Sequence, residues 1–251
     1  MKKLKIKVDD LANNPSIRLP ICLLLDTSSS MKGSRIDKLN EGMKMFQESV
    51  CSDEVLKLSA EICIITFGNK GFSDENNEGP NAGIKNITDF GYIENHKIPD
   101  FEAGGYTPMG EAVQKAINML QARKKEYKKN GVEYYQPWLV LMTDGQPYDF
   151  KACECCNQKY RFHSIDDAVN ESTKLINDGG LVLLPIGIGN DEELNMEVLK
   201  RFSPKIPPLK LEGLKFKEFF DWLTQSMLIV SRSNPGTEVN LPPTTWAKVK
   251  I

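Results

Sequence analysis

The sequence has few of the residue patterns that mark the common enzyme classes. Only two histidines, His96 and His163, occur in the 251 residues. No G-x-S-x-G elbow, P-loop or H-E-x-x-H motif is present, so the signatures of α/β hydrolases, P-loop nucleotide-binding proteins and zinc peptidases are all lacking. We therefore expect a protein without catalytic turnover of its own. A metal-dependent hydrolase or phosphatase stays open as the alternative.

Long apolar runs and an excess of one charge are also missing. The longest apolar run lies near residues 21–25, whereas about 18 apolar residues are needed to cross a bilayer. The basic start of the chain has no apolar segment after it of the kind found in signal peptides. A formal net charge of -2 gives no general attraction to nucleic acid or to an anionic membrane. These absences predict a cytoplasmic protein with no membrane insertion.

The residues that are present suit one α/β core. At 40% hydrophobic and 26% charged, the chain is long enough for one full domain but not for a large second one. We expect an N-terminal extension at residues 1–17, a domain at 18–232 and a C-terminal tail at 233–251. Short apolar runs alternate with stretches of helical periodicity through the domain. Strands are predicted at residues 18–25, 56–67, 85–90, 138–143, 181–188 and 208–211, and helices at 36–51, 109–129, 165–178, 192–202 and 216–231. This alternation predicts a doubly wound, mostly parallel, Rossmann-like sheet flanked by helices, with one antiparallel edge strand.

Oxygen-bearing side chains occur in three segments of the predicted domain. Asp26, Ser28 and Ser30 follow the first strand directly in a D-x-S-x-S pattern, and Asp144 follows a later strand. Thr107 lies in a glycine-rich loop before a helix. Ligands of a doubly wound sheet bind at the carboxyl ends of strands near the topological switch point, where these segments would meet. Hydroxyl and carboxylate oxygens are ligands that suit Mg²⁺, so the three segments predict a metal site.

Each segment alone also has a simpler interpretation. D-x-S-x-S fits a helix N-cap, and Thr107 followed by Pro108 fits a cap with proline at the first helical position. The three segments in this order favour the metal site. The set resembles the metal-ion-dependent adhesion site of von Willebrand factor type A (vWA) domains, although Ser29 stands at a non-ligand position where many of these domains have glycine.

The resemblance implies the vWA fold and a division of roles within the site. Ser28, Ser30 and Thr107 would be neutral ligands of Mg²⁺, or of Mn²⁺ or Ca²⁺, and Asp26 and Asp144 would act directly or through water. Hydroxyl ligands leave most of the metal charge uncancelled, so an acidic side chain of a protein partner would complete the coordination. The resemblance therefore implies a metal-dependent protein-interaction module.

The carboxyl-terminal part of the chain is similar to a narrower family. Residues 219–226, 230–233, 235–236 and 241–243, together with Arg18-Leu19-Pro20, look like TerY-type vWA proteins. Those proteins belong to bacterial tellurium-resistance and chemical-stress systems. The resemblance implies a partner that is a protein kinase or a phosphatase of the same system. A vWA partner subunit of an AAA+ chelatase or chaperone is a further alternative.

A polar insertion at residues 148–163 departs from the usual vWA pattern. Its cysteines and histidine are Cys153, Cys155, Cys156 and His163. They could hold Zn²⁺, but C-x-C-C followed by histidine after six intervening residues is not a standard zinc-finger spacing. We favour a partner-contacting loop over a zinc site or reversible thiol chemistry.

Four aromatic residues are predicted at the rim of the metal site. These are Tyr106, Tyr148, Phe150 and Phe162. Exposed on rim loops, they would anchor a protein partner. Packing of the same rings onto the sheet is the alternative, because most aromatic residues of globular domains are packed.

Overall fold

A computed structural model of the chain describes residues 14–68, 83–144, 146–148, 163–189, 194–244 and 247–249. Within these ranges, seven strands form one sheet in the order β3-β2-β1-β4-β5-β6-β7. The strands are β1 (Leu19–Asp26), β2 (Ala60–Phe67), β3 (Ile84–Gly91), β4 (Trp138–Thr143), β5 (Val182–Ile188), β6 (Leu209–Leu211) and β7 (Ala247–Val249).

The central pairings of the sheet are parallel and the outermost ones are antiparallel. Strands β2, β1, β4, β5 and β6 run in the same direction. Strand β3 pairs antiparallel with β2, and β7 pairs antiparallel with β6. The predicted mostly parallel sheet with an antiparallel edge strand near residues 85–90 is therefore confirmed. Strand β7 adds a second antiparallel edge in the segment predicted as a C-terminal tail.

Helices cover both faces of this sheet. They are α1 (Ser34–Ser52), α2 (Glu54–Ser59), α3 (Met109–Lys129), α4 (Ile165–Asn177), α5 (Met196–Phe202) and α6 (Phe216–Ser231). Helices α1 and α6 pack together on one face, and α3 packs against α4 on the other. No helix in the described part of the chain is long and apolar enough to cross a membrane.

Strand β1 shows why the core strands have continuous apolar sequences. Ile21 and Leu23 pack in the cluster with α1 and α6, whereas Cys22 and Leu24 pack in the cluster with α3 and α4. All four side chains are fully buried. Successive side chains of a strand point to opposite faces, so a strand covered on both faces must be apolar at every position.

Two predicted element boundaries are wrong for the same physical reason, a polar side chain that caps a helix. Asp53 Oδ1 accepts hydrogen bonds from the amides of Val55 and Leu56 at 2.9 Å each, so α2 forms and strand β2 begins only at Ala60. Asn195 accepts a hydrogen bond from the Val198 amide at 3.1 Å, and α5 begins at Met196 instead of residue 192.

The strand order places the predicted metal ligands at one edge. Strand β1 lies between β2 and β4, and the chain leaves β1 toward β2 before it returns to β4 on the other side. The reversal makes the carboxyl ends of β1 and β4 the topological switch point, where a crevice opens in doubly wound sheets. Asp26 is the last residue of β1, and Asp144 follows the last residue of β4.

Candidate metal centre

Asp26 links the ends of the two central strands. Its Oδ1 atom accepts a hydrogen bond from the Ser28 amide at 2.8 Å, and its Oδ2 atom accepts one from the Thr143 hydroxyl at 2.6 Å. The side chain is fully buried. The carboxylate is therefore held in one orientation below the loop that follows β1.

The loop after β1 turns back so that both serine hydroxyls face the end of β4. A single 3₁₀ turn at Ser29–Met31 produces this change of direction. The Oγ atoms of Ser28 and Ser30 lie 3.0 Å apart, and the Ser30 hydroxyl donates to Asp144 Oδ1 at 2.6 Å. Ser30 and Asp144, which are 114 positions apart in the sequence, are thus in direct contact. With Ser28 they form a continuous chain of hydrogen-bonded oxygen atoms.

Backbone hydrogen bonds bring the third segment alongside the first. The Gly104 amide donates to the Thr27 carbonyl at 2.8 Å, and the Ser29 amide donates to the Gly105 carbonyl at 3.1 Å. Thr107 follows in this loop and is 7% exposed. The loop therefore holds the Thr107 side chain beside the serines.

Together, these side chains define a polar cradle, by which we mean Asp26, Ser28, Ser30, Thr107 and Asp144. The last four line a depression of about 500 Å³, and Asp26 lies buried behind it. The structure thus brings together the five residues that the sequence pattern predicts. Which of them act as metal ligands stays a prediction.

Gly68, the residue after β2, lies beside the backbone of Ser28. It has a φ of +106°, and a Cβ atom at this position would lie 2.4 Å from the Ser28 amide nitrogen. Both the backbone conformation and the space exclude a side chain here. Any larger residue would displace the backbone that carries Ser28.

Two carboxylates lie buried in the cradle with little compensating charge. Burial, and then repulsion from Asp144, raises the pKa of Asp26 to about 7. Burial also raises the pKa of Asp144, although hydrogen bonds from Ser30 and Arg35 act in the opposite direction. The Arg35 guanidinium donates to Asp144 Oδ2 at 2.7 Å and to the Ser30 carbonyl at 3.2 Å. Burial, together with the closeness of the two carboxyl groups, thus disfavours their charged forms.

The donor set fits a hard divalent cation. Hydroxyl and carboxylate oxygens converge on one depression, and Mg²⁺, Mn²⁺ and Ca²⁺ all favour oxygen ligands. Among the described residues, no cluster of three or more His, Cys, Asp or Glu side chains offers a competing metal site. A cation in the cradle would bind to Ser28, Ser30 and Thr107. Its positive charge would stabilise the ionised forms of Asp26 and Asp144.

The described part of the rim carries two of the four predicted aromatic residues. Tyr106 is 56% exposed and Tyr148 is 37% exposed, and their rings stack with centroids 4.8 Å apart. The Tyr148 amide donates to the Thr107 carbonyl at 2.8 Å, which ties the loop after β4 to the cradle. Phe150 and Phe162 lie outside the described residues.

The predicted thiol cluster falls mostly outside the described residues as well. This applies to Cys153, Cys155 and Cys156. His163 is described and half-buried, and its backbone amide donates to the carboxylate of Glu111 in the first turn of α3. The zinc and thiol alternatives for the insertion therefore stay predictions.

Sequence reasoning missed three residues that shape the cradle. Thr143 orients Asp26, Gly68 makes room for Ser28, and Arg35 contacts Asp144. In the sequence, the one feature that points to Thr143 is its position directly before Asp144, a predicted ligand. Arg35 had no signal, because its contact depends on where helix α1 begins relative to β4.

Residues 21–205 match the family model of the von Willebrand factor type A domain. Since this match covers most of the chain, the protein belongs to the vWA domain family. A comparison with curated proteins finds no match.

Solved structures with the same fold include proteins of bacterial pili and of mussel byssus. The vWF domain of the type V pili tip protein Mfa5 from Porphyromonas gingivalis has a TM-score of 0.60 at 12% identity, with 88% of this chain and 99% of that chain covered. The pilus adhesin SpaC from Lactobacillus rhamnosus GG has a TM-score of 0.59 at 14% identity, with 85% of this chain and 31% of that chain covered. Proximal thread matrix protein 1 from the mussel byssus, whose metal-ion-dependent adhesion site (MIDAS) motif is occupied by zinc, has a TM-score of 0.50 at 17% identity. The match covers 84% of this chain and 48% of that chain. This chain thus spans about a third of SpaC and half of the byssus protein, and the likeness shows a shared fold.

Proposed function

We propose that this protein is a metal-dependent protein-interaction module whose cradle binds a divalent cation and, through it, an acidic side chain of a partner. One observation carries the proposal. The hydroxyls of Ser28 and Ser30 and the carboxylate of Asp144 form a continuous chain of oxygen atoms in an open depression, with the Asp26 carboxylate buried behind them. Neutral ligands leave a bound cation attractive to an external carboxylate.

The oxygen-bearing side chains of the cradle support a hard divalent cation as the proposed ion. Hydroxyl and carboxylate oxygens favour Mg²⁺, with Mn²⁺ and Ca²⁺ as substitutes. The zinc-occupied MIDAS motif of the byssus protein indicates that this kind of site also accepts Zn²⁺. We therefore propose Mg²⁺ as the resident ion and expect Mn²⁺ to replace it in experiments.

The wider role rests on the sequence resemblance described above. We propose a TerY-type interaction module that acts in the bacterial cytoplasm in a tellurium-resistance or chemical-stress system, with the kinase or phosphatase of that system as its partner. The exposed Tyr106 and Tyr148 would lie under the partner beside its acidic residue. A net charge of -2 favours a protein partner over nucleic acid.

We also propose that the protein has no turnover of its own. Metal-dependent phosphoryl transfer needs cationic groups that bind the phosphate as well as the ion. In the described lining of the depression, Arg35 is the single cationic side chain, and it already contacts Asp144. This arrangement supports binding of one carboxylate better than binding of a phosphate ester.

Calorimetry with Mg²⁺ and Mn²⁺ tests the metal site. We expect one ion to bind per chain, with affinity lost in Asp26→Ala and reduced in Thr107→Ala. Thr224→Ala is a matched control because its hydroxyl donates to the Phe220 carbonyl on α6, away from the cradle. Equal affinity in wild type and Asp26→Ala would contradict the proposed site.

Capture of the kinase and phosphatase of the same stress system tests the partner. We expect capture with Mg²⁺, little capture with chelator, and weakened capture by the Thr107→Ala variant. Capture that neither chelator nor Thr107→Ala affects would show that the partner binds elsewhere. A phosphatase activity abolished by Asp144→Ala would favour the enzyme alternative instead.

A further inference from the structure

Arg35 adds a permanent positive charge to the cradle. It is the second residue of α1, and its side chain is 18% exposed. The guanidinium donates to Asp144 Oδ2 at 2.7 Å and to the Ser30 carbonyl at 3.2 Å, so it contacts two of the segments that form the cradle. Arginine stays protonated under all ordinary conditions, so this charge does not depend on pH.

Arg35 changes the sum of formal charges around a cation bound in the cradle. With both carboxylates ionised, Asp26 and Asp144 carry two negative charges, and a divalent cation alone would neutralise them. Arg35 contacts Asp144, so the formal charges of Asp26, Asp144, Arg35 and a divalent cation sum to one positive charge. A single carboxylate from outside would bring the sum for these groups to zero.

The same charge opposes the metal when no external carboxylate is present. Arg35 and the cation would both interact with Asp144, and they would repel each other across a short distance in a partly buried site. The arginine therefore weakens binding of the ion alone. It strengthens binding of the ion together with an anion.

We infer that Arg35 couples the two binding events, so that the cradle takes up its cation tightly only when a carboxylate binds with it. This inference rests on the proposed function and names its consequence for the partner. The partner's acidic side chain would be part of the metal site and not a later addition to it. Coupling of this kind is reciprocal, so the carboxylate should raise metal affinity by the same factor by which the metal raises carboxylate affinity.

A purely positioning role for Arg35 predicts the opposite result. If Arg35 only held Asp144 in place, its removal would misplace a ligand and weaken metal binding. If Arg35 opposes the ion by charge, its removal would strengthen binding of the ion alone. The sign of the change in metal affinity therefore separates the two roles.

The test is a calorimetric titration of Mn²⁺ into the full chain, with sodium acetate as the carboxylate probe and sodium chloride at equal ionic strength as its control. The variants are Arg35→Gln, which removes the charge, and Arg35→Lys, which keeps it. Lys44→Gln is the matched control, because Lys44 is an exposed cation that pairs with Asp100 at 2.7 Å outside the cradle.

We expect acetate to raise the Mn²⁺ affinity of the wild type about tenfold, within the range typical of coupled sites. Arg35→Gln should bind Mn²⁺ about tenfold more tightly than the wild type in chloride, and acetate should then change its affinity less than about twofold. Arg35→Lys should keep most of the wild-type coupling, and Lys44→Gln should behave as the wild type.

Two results would overturn the inference while leaving the proposed function intact. One is a metal affinity of Arg35→Gln in chloride that equals or falls below that of the wild type. The other is the same acetate effect in Arg35→Gln and in the wild type. A wild-type chain that binds no Mn²⁺, or binds it equally well after Asp26→Ala, would instead refute the metal site and the coupling together.

Discussion

At the amino end of β2, Glu61 is buried against two arginines, whereas at the carboxyl ends of β1 and β4 two buried aspartates lie near a single arginine. Glu61 is 2% exposed and accepts hydrogen bonds from Arg123 Nε at 2.7 Å and from the Tyr127 hydroxyl. Arg18 Nε lies 3.4 Å from its other oxygen. Arg123 also pairs with Glu126 at 3.0 Å, so two arginines balance two carboxylates at this end of the sheet.

At the opposite end the carboxylates outnumber the cations. Asp26 and Asp144 are both buried, and Arg35 is the one cationic side chain that contacts either of them in the described part of the chain. Burial raises the pKa of both carboxyl groups. The two ends of the sheet therefore differ in how their buried carboxylates are neutralised. Cations of the protein neutralise Glu61, which is a structural contact, whereas the shortage of cations around Asp26 and Asp144 supports the proposed binding of an external cation.

Removal of Glu61 should have the largest effect on the folded domain. Glu61→Ala would leave Arg18 buried without its counter-charge and Arg123 with Glu126 as its remaining ion-pair partner among the described residues, which costs about 3–5 kcal/mol of unfolding free energy. Urea unfolding of the metal-free protein measures this loss. Metal affinity should not change, because Glu61 lies at the opposite end of the sheet.

Glu41→Ala is the matched control for that experiment. Glu41 is an exposed acid that pairs with Lys38 at 2.6 Å, and its loss should change stability by no more than about 0.5 kcal/mol. If Glu61→Ala proved as mild as Glu41→Ala, the contrast between the two ends of the sheet would be wrong.

Neutralisation of Asp26 should have the opposite consequence. Asp26→Asn removes one of two mutually repelling carboxylates, while its amide can still bond to the Ser28 amide and the Thr143 hydroxyl through its two polar atoms. The metal-free variant should therefore be at least as stable as the wild type. Excess Mg²⁺ at about 100 times its dissociation constant should stabilise the wild type by about 2.7 kcal/mol and leave the variant unchanged.

Thermal unfolding with and without Mg²⁺ measures both effects in one series. A metal-free Asp26→Asn variant that unfolds as readily as Glu61→Ala would show that Asp26 is a structural residue. An equal Mg²⁺ shift in variant and wild type would show that the ion binds outside the cradle.

The sequence predicted the fold because its core strands are buried on both faces. Residues such as Ile21, Cys22 and Leu23 must all be apolar, and the resulting run is visible without a structure. The end of such a run also locates Asp26, the last residue of β1, and Asp144, the residue after β4. Local order along the chain was enough to predict this part of the site.

The sequence could not predict contacts that depend on how distant segments meet. Arg35 contacts Asp144 across 109 positions, and its place in the cradle depends on the start of α1. The network around Glu61 joins β2 to α3 and to the segment before β1, and none of its members stands in a motif. Strand β7 is three residues long and follows a proline-containing tail, which gave no periodic signal.

His96 extends the comparison to a half-buried group that would become cationic on protonation. Its Nε2 atom donates to the carbonyl of Ile62, the residue after Glu61, at 2.8 Å. Burial lowers the pKa of His96, although its backbone contacts to Ile62 and Gly91 and the charge of Asp89 oppose the shift. The folded state therefore favours the neutral imidazole more than the unfolded chain does.

This difference makes stability depend on pH. Above the unfolded pKa of about 6.5, His96 is neutral in both the folded and the unfolded state and does not affect stability. As pH falls from about 6.5 through the lower pKa of the folded state, protonation favours the unfolded chain and stability is lost.

The measurement is the difference in unfolding free energy between wild type and His96→Gln, taken between pH 8 and pH 5. Glutamine keeps an N–H donor for the Ile62 carbonyl but does not titrate, so the contributions of Asp26, Asp144 and the other acids cancel in the difference. We expect the difference to be constant above pH 7 and to shift in favour of His96→Gln as pH falls, by less than the effects of Glu61→Ala or Asp26→Asn. A wild type that gains stability relative to the variant at low pH would mean that His96 is protonated in the folded state. In that case the charge of Asp89 and the backbone contacts of the ring would outweigh burial, and the amino end of the sheet would accept a further cation.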